Sequence, residues 1–230
     1  MRAIVTGGTR GIGKSVAENL LLEGFQVMIT GTSIGNENDF TYFEVDFKSK
    51  SKTKAFLEEA KSFQPDVLVN NAGINIIDDF VDIEEEDFDE VIRVNLKTPF
   101  LISQAVIPSM KENRFGRIVN IASIFSKVSK EKRASYSASK FGLDGLTKAV
   151  ASEVSGHNIL VNSVSPGVIK TDLTEGILGE EGIALMEKKI PQGRLGTTEE
   201  VAKFVVWLAS QNNTYISGQN ILIDGGYTIV

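Results

Sequence analysis

The chain has 230 residues, of which 42% are hydrophobic and 23% charged, with 21 glycines and only 5 prolines. That composition excludes a disordered, collagen-like or linker-dominated chain. Thirty acidic side chains against 24 Lys and Arg leave a formal charge of −6, with no cysteine and one histidine, His157. These counts argue against a broad nucleic-acid-binding face and exclude disulfides, thiolate chemistry and a multi-histidine metal site.

Strand-like runs fall at 3–6, 26–30, 41–45, 67–70, 117–122, 160–165 and 220–223. Helical apolar spacing covers segments near 12–23, 51–63, 85–112, 135–154 and 198–210. Strands alternating with helices predict parallel pairing through right-handed crossovers. Val67-Leu68-Val69 is apolar on both faces and needs helices above and below it. The expectation is one domain over 1–230: α/β, with a doubly wound, parallel, seven-stranded Rossmann-like sheet between two helical layers. No apolar run reaches the roughly 18 residues of a membrane span. Met1-Arg2 leads straight into the first strand, so no signal peptide and a cytoplasmic setting are expected, in keeping with the absence of cysteine.

Between the second and third strands lie only residues 31–40, with Gly31, Gly35, Asn36 and Asn38 opposing helix. A crossover with its helix needs about ten to twelve residues, so a shortened one, a loop or single turn, is expected here.

Thr6-Gly7-Gly8-Thr9-Arg10-Gly11-Ile12-Gly13 follows the first strand and opens the first helix. Its glycines let a ligand approach the main chain, and the helix start offers free N–H groups to a pyrophosphate. At the end of the second strand, Thr30, Gly31, Thr32 and Ser33 offer no carboxylate for a ribose 2′-hydroxyl. Arg10 suits a phosphate instead, so NADP(H) is favoured over NAD(H).

Tyr136-Ser137-Ala138-Ser139-Lys140 puts a phenol and an ammonium four apart on one helical face. A nearby cation stabilises phenolate and draws its pKa down toward the working range. Ser123, just past the strand 117–122, would project at the carboxyl edge of the sheet, where ligands bind in such folds.

With these motifs the chain resembles the short-chain dehydrogenase/reductases over essentially its full length. Thr6-Gly7-x-x-x-Gly11-x-Gly13 is similar to the family's nucleotide motif, and Asn70-Asn71-Ala72-Gly73 to its fourth-strand motif. The resemblance implies a catalytic tetrad of Asn95, Ser123, Tyr136 and Lys140. Tyr136 would donate the proton, and Ser123 would hold the carbonyl oxygen. Lys140 would lower the phenol pKa and hold the nicotinamide ribose, and Asn95 would position a water. It further implies cofactor contacts from Gly7, Thr9, Arg10, Gly11, Ile12 and Gly13, from Thr32, and from Asp46 and Phe47 on the adenine side. Asn71, Ala72 and Gly73 would join them, with Pro166, Gly167, Ile169 and Thr171 beside the nicotinamide.

Within the family the chain is most like bacterial 3-oxoacyl-(acyl-carrier-protein) reductases, through stretches such as Gly193-Arg194-Leu195-Gly196 and Asp224-Gly225-Gly226. That implies NADPH-dependent reduction of a 3-oxoacyl thioester in acyl-chain biosynthesis, and a homotetramer assembled through the long helices. Sugar, polyol or hydroxysteroid oxidation within the family, or a non-catalytic NADP-binding sensor, are the alternatives. Lys127, Lys130, Lys132 and Arg133 form a basic stretch that could dock an acidic acyl carrier protein. Residues 171–189 read as a mobile substrate lid with glycine breaks. The acids of 78–90 read as a solvated helix start, His157 as structural, and Trp207 as core.

Overall fold

The computed structural model describes residues 1–33 and 39–230. Seven parallel strands form one sheet in the order β3-β2-β1-β4-β5-β6-β7. They are β1 (Arg2–Val5), β2 (Gln26–Gly31), β3 (Thr41–Glu44), β4 (Val67–Asn70), β5 (Gly116–Ile121), β6 (Ile159–Pro166) and β7 (Asn220–Ile223). The chain order reverses between β1 and β4, and there the carboxyl ends of the strands open a crevice suited to a ligand.

Helices cover both faces: α1 (Gly11–Leu22), α2 (Lys50–Phe63), α3 (Glu85–Ile92), α4 (Thr98–Asn113), α5 (Ala134–Val154), α6 (Asp172–Glu187) and α7 (Thr198–Ala209). The period of two along β1 sorts the core. Ala3 and Val5 pack with Val16 and Leu20 of α1 and Val205 of α7. Ile4, between them, packs with Phe56 of α2 and Ile102 and Val106 of α4 on the opposite face. Such alternation lets a four-residue strand serve two cores at once.

The structure departs from the sequence expectations in several places. The span 85–112 is not one helix: a π-helical turn, Arg93–Lys97, separates α3 from α4. Pro99 stands at the start of α4 and has no N–H to give to the carbonyl of Asn95, so the ladder widens there. The lid segment forms α6, broken at Gly179 with φ 61° and ψ 178°, and none of its described residues is fully buried. Trp207 is not core: it is 39% exposed and stacks on Phe204 with centroids 6.1 Å apart. It lies one turn from exposed Lys203 on the outer face of α7, while Val201, Val205 and Leu208 take the inner face.

In the β2–β3 connection, residues 32, 33, 39 and 40 form bends and turns without helix. The shortened-crossover expectation otherwise falls on 34–38, which lie outside the described residues. No helix among the described residues is long and apolar enough to cross a membrane.

Candidate active site

The turn after β1 is held by side chains from two neighbouring strands. Thr6 Oγ1 accepts from the backbone N–H groups of Asn71 and Ala72, at 2.9 and 3.0 Å. Asn71 Nδ2 donates back to the carbonyls of Thr6 and Gly7. Thr30 Oγ1 accepts from the Gly7 N–H at 3.0 Å. Asn71 thus braces the glycine turn, a role its motif alone does not reveal. Two glycines are required here. Gly7 has φ +65°, and a Cβ on Gly13 would lie 2.2 Å from the Gly7 carbonyl oxygen.

Arg10 is the N-cap of α1 and makes no side-chain cap, so the first N–H groups of the helix keep no capping partner. The same turn reaches the far side of the crevice, since a Cβ on Gly11 would lie 3.7 Å from Thr171 Cγ2. Arg10, Thr32 and Ser33 are exposed, and Gly31 packs against Thr9. Asp46 accepts from the Lys48 N–H. Phe47 turns its ring into the core, edge-on to Phe56, and its carbonyl accepts from Thr53 Oγ1 at 3.5 Å. A glycine cradle with uncapped helix N–H groups and an exposed arginine beside it fits a dinucleotide phosphate.

The side chains of the expected tetrad meet at the carboxyl edge of β4 and β5. Ser123 follows β5, and its Oγ accepts from the Phe125 N–H at 3.2 Å. Buried Ser126 fixes that turn. Its hydroxyl donates to the Ser123 carbonyl at 2.7 Å and is bonded to Ser165 Oγ and Asn220 Nδ2. Sequence spacing gave no signal for this support, because its members come from three separate strand ends.

Asn95, 1% exposed, clamps the chain after β4. Its Oδ1 accepts from Ile74 N, and its Nδ2 donates to Ile74 O and to Ser139 Oγ on α5. A Cβ on Gly73 would lie 3.3 Å from Asn95 Oδ1 and 3.7 Å from Lys140 Nζ, so the fourth-strand motif and the tetrad share one wall.

Tyr136 and Lys140 lie one turn apart on α5, with the Lys140 ammonium 5.6 Å from the phenol ring centroid. Lys140 Nζ donates to the Ile121 carbonyl at 2.8 Å, and burial lowers its pKa to about 8. Burial pushes the Tyr136 phenol above its usual range, while a hydrogen bond with Ser123 and the charge of Arg133 act the other way. Lys140 is thus the cation in contact with the phenol ring, as helix spacing predicted. A cavity of about 300 Å³ lies beside Ile169, lined also by Arg194, Glu200 and Asp224, and none of the tetrad lines it.

The family model for enoyl-(acyl carrier protein) reductase matches residues 7–228. The chain belongs to the short-chain dehydrogenase/reductase family. It is 40% identical to the 3-oxoacyl-(acyl-carrier-protein) reductase FabG of Aquifex aeolicus, over 97% of this chain and 96% of that protein. It is 35% identical to the FabG of Salmonella typhimurium, over 99% of this chain and 97% of that protein. Among solved structures, a candidate NAD(P)-dependent gluconate 5-dehydrogenase from Beutenbergia cavernae, with bound NADP, overlays with a TM-score of 0.95 at 32% identity. That overlay covers 100% of this chain and 97% of the other. A 4-hydroxyisoleucine dehydrogenase complexed with NADH overlays at 0.93 and 31% identity, over 100% and 99%. This member of the short-chain dehydrogenase/reductases is thus an NAD(P)-dependent oxidoreductase acting on alcohol or carbonyl groups.

In this dehydrogenase/reductase the basic stretch before α5 is not a patch of four free cations. Lys127 pairs with Asp144 at 3.6 Å and Lys132 with Asp79 at 2.9 Å. Arg133 turns inward over the Phe125 ring, and Lys130 is exposed. Asp78, Asp79 and Asp82 converge on the surface, all exposed, and Lys132 occupies one side of that cluster. His157 is half-buried in the short turn that ends α5.

Proposed function

We propose that this chain reduces a 3-oxoacyl thioester to the 3-hydroxyacyl thioester with NADPH. The observation that carries the reading is likeness at 35–40% identity, along nearly the whole chain, to relatives named for that reaction. In this reading Tyr136 gives its phenolic proton to the substrate carbonyl oxygen, and the Ser123 hydroxyl donates to the same oxygen as charge develops. Lys140 holds the ribose beside them, and Asn95 fixes the wall that carries Gly73. Bound NADPH supplies the hydride. Pro166, Gly167, Ile169 and Thr171 close the nicotinamide side.

NADPH preference is supported by exposed Arg10 and by the absence of a carboxylate among Gly31, Thr32 and Ser33. We take the chain as one cytoplasmic domain that assembles as a homotetramer. Phe100 on α4 and Phe141 on α5 are 43% and 47% exposed, and apolar helix faces of this kind suit such assembly. Docking of an acidic carrier at 127–133 exchanges the Lys127 and Lys132 ion pairs, which are weak at this exposure.

A second reading, oxidation of a hydroxy or sugar acid, is supported by the overlays with gluconate and 4-hydroxyisoleucine dehydrogenases. A panel of NADPH- and NADH-linked assays on acetoacetyl thioesters, gluconate and a steroid separates the two. Reduction of the thioester with no activity on gluconate is expected; the reverse pattern overturns the thioester assignment.

A further inference from the structure

Arg133 stands three residues before Tyr136, at the N-cap of α5. Its Nε and Nη1 atoms are shielded from solvent and have no hydrogen-bond acceptor among the described residues. The guanidinium lies 6.0 Å over the Phe125 ring, and Phe125 meets Tyr136 edge-on with centroids 6.1 Å apart. Three side chains thereby line one wall, Arg133 over Phe125 and Phe125 edge-on to Tyr136.

Arg117 provides the contrast. It is buried where Arg133 is half-buried, and it lies over the ring of Phe115. Its Nε also has no acceptor, but its Nη1 and Nη2 atoms donate to the carbonyls of Gly116, Asn158 and Asn213. An arginine that serves the fold finds backbone acceptors in this way. Leaving a solvent-shielded charged donor without an acceptor costs stability. Arg133 carries that cost beside the reacting phenol, and Glu131 acts on it only at range. Free donors held rigid at a reaction site are what recognition of an acceptor oxygen requires.

We propose that Arg133 reads a second oxygen of the substrate, a carbonyl or carboxylate oxygen close to the reacting carbonyl. The thioester carbonyl of a 3-oxoacyl group and the carboxylate of an oxo acid offer the same acceptor chemistry to a planar guanidinium fork. The inference rests on Tyr136 as the proton donor and is independent of the choice between thioester and acid.

The test compares wild type, Arg133→Ala and Arg133→Lys in NADPH-linked reduction of three probes: the N-acetylcysteamine thioester of acetoacetate, acetoacetate itself, and cyclohexanone, which has no second oxygen. Arg133→Ala is expected to lose roughly 10- to 100-fold in kcat/KM on whichever two-oxygen probe the wild type accepts, chiefly through KM. Cyclohexanone should change little, NADPH affinity should hold, and Arg133→Lys should recover part of the loss. An equal loss on cyclohexanone overturns the proposal, because Arg133 would then act through Tyr136 alone. No loss on either two-oxygen probe, or a wild type that reduces only cyclohexanone, overturns it as well. A wild type active on acetoacetate but not on the thioester removes the thioester reading and leaves Arg133 tested on the acid. Arg133→Gln, which keeps bulk over Phe125, repeats the comparison if the alanine variant fails to fold.

Discussion

The ammonium of Lys140 donates to the carbonyl of Ile121 at 2.8 Å, so the last residue of β5 holds the cation of α5 beneath the Tyr136 ring. Lys140 is 4% exposed, and one carbonyl is a modest replacement for the water that an ammonium loses on burial. The site therefore stores a desolvation cost at this residue, and the depressed pKa expresses it.

That cost makes stability depend on pH in a definite window. The Lys140 pKa falls from 10.5 in its ordinary state to about 8 in the fold. Between these values the unfolded chain binds the proton and the folded chain does not, so stability rises with pH there. Below about pH 8 the penalty is present in full, of order 3 kcal/mol. Lys140→Met should be the more stable protein at pH 7.5, and the advantage should shrink by pH 10. Urea midpoints for both proteins at the two pH values check this; an advantage that stays constant would show that Lys140 titrates normally.

Tyr136→Phe keeps the edge-on contact with Phe125 and removes only the hydroxyl. Turnover should fall by roughly 10²- to 10⁴-fold, the range of general acid catalysis, while NADPH affinity holds. Steady-state rates together with a fluorescence titration of NADPH separate the two effects. A variant that keeps near-normal turnover takes the phenol out of the reaction.

Arg10→Ala should discriminate between the two cofactors. Loss of a charge-assisted contact to a 2′-phosphate costs about 1.5–3 kcal/mol, a factor of ten or more in NADPH affinity. NADH has no such group and should bind as before. Isothermal titration of both nucleotides decides the matter, and parallel losses would move Arg10 away from the 2′ position.

The pairing of Tyr136 with Lys140 was legible in the chain because helix geometry alone puts residues four apart on one face. Gly7, Gly11 and Gly13 were legible for a related reason: the turn between β1 and α1 is a local object, and the glycines are demanded by backbone angle and close approach at Gly7 and Gly13. The order of strands and helices followed from apolar periodicity. The π turn around Asn95 could have been suspected from Pro99, four residues later, which cannot donate to the Asn95 carbonyl.

Arg133 was read as one of four surface cations, and nothing near it in the chain says otherwise. Its inward turn is made by Phe125, eight residues back across a loop, while the partners of Lys132 and Lys127 are Asp79 and Asp144. Trp207 was read as core on hydrophobicity, and only the packing of α7 on α1 and the sheet assigned it to the outer face.

The sequence by itself determined the alternation of strands and helices, the glycine turn and the spacing of phenol and ammonium, since each depends on dihedral preference or period within a single element. The tertiary structure decided which cation of the basic stretch turns inward, what braces the glycine turn and which donors are left free. Those outcomes depend on burial and on acceptors brought from distant strands, and neither exists until the sheet has closed.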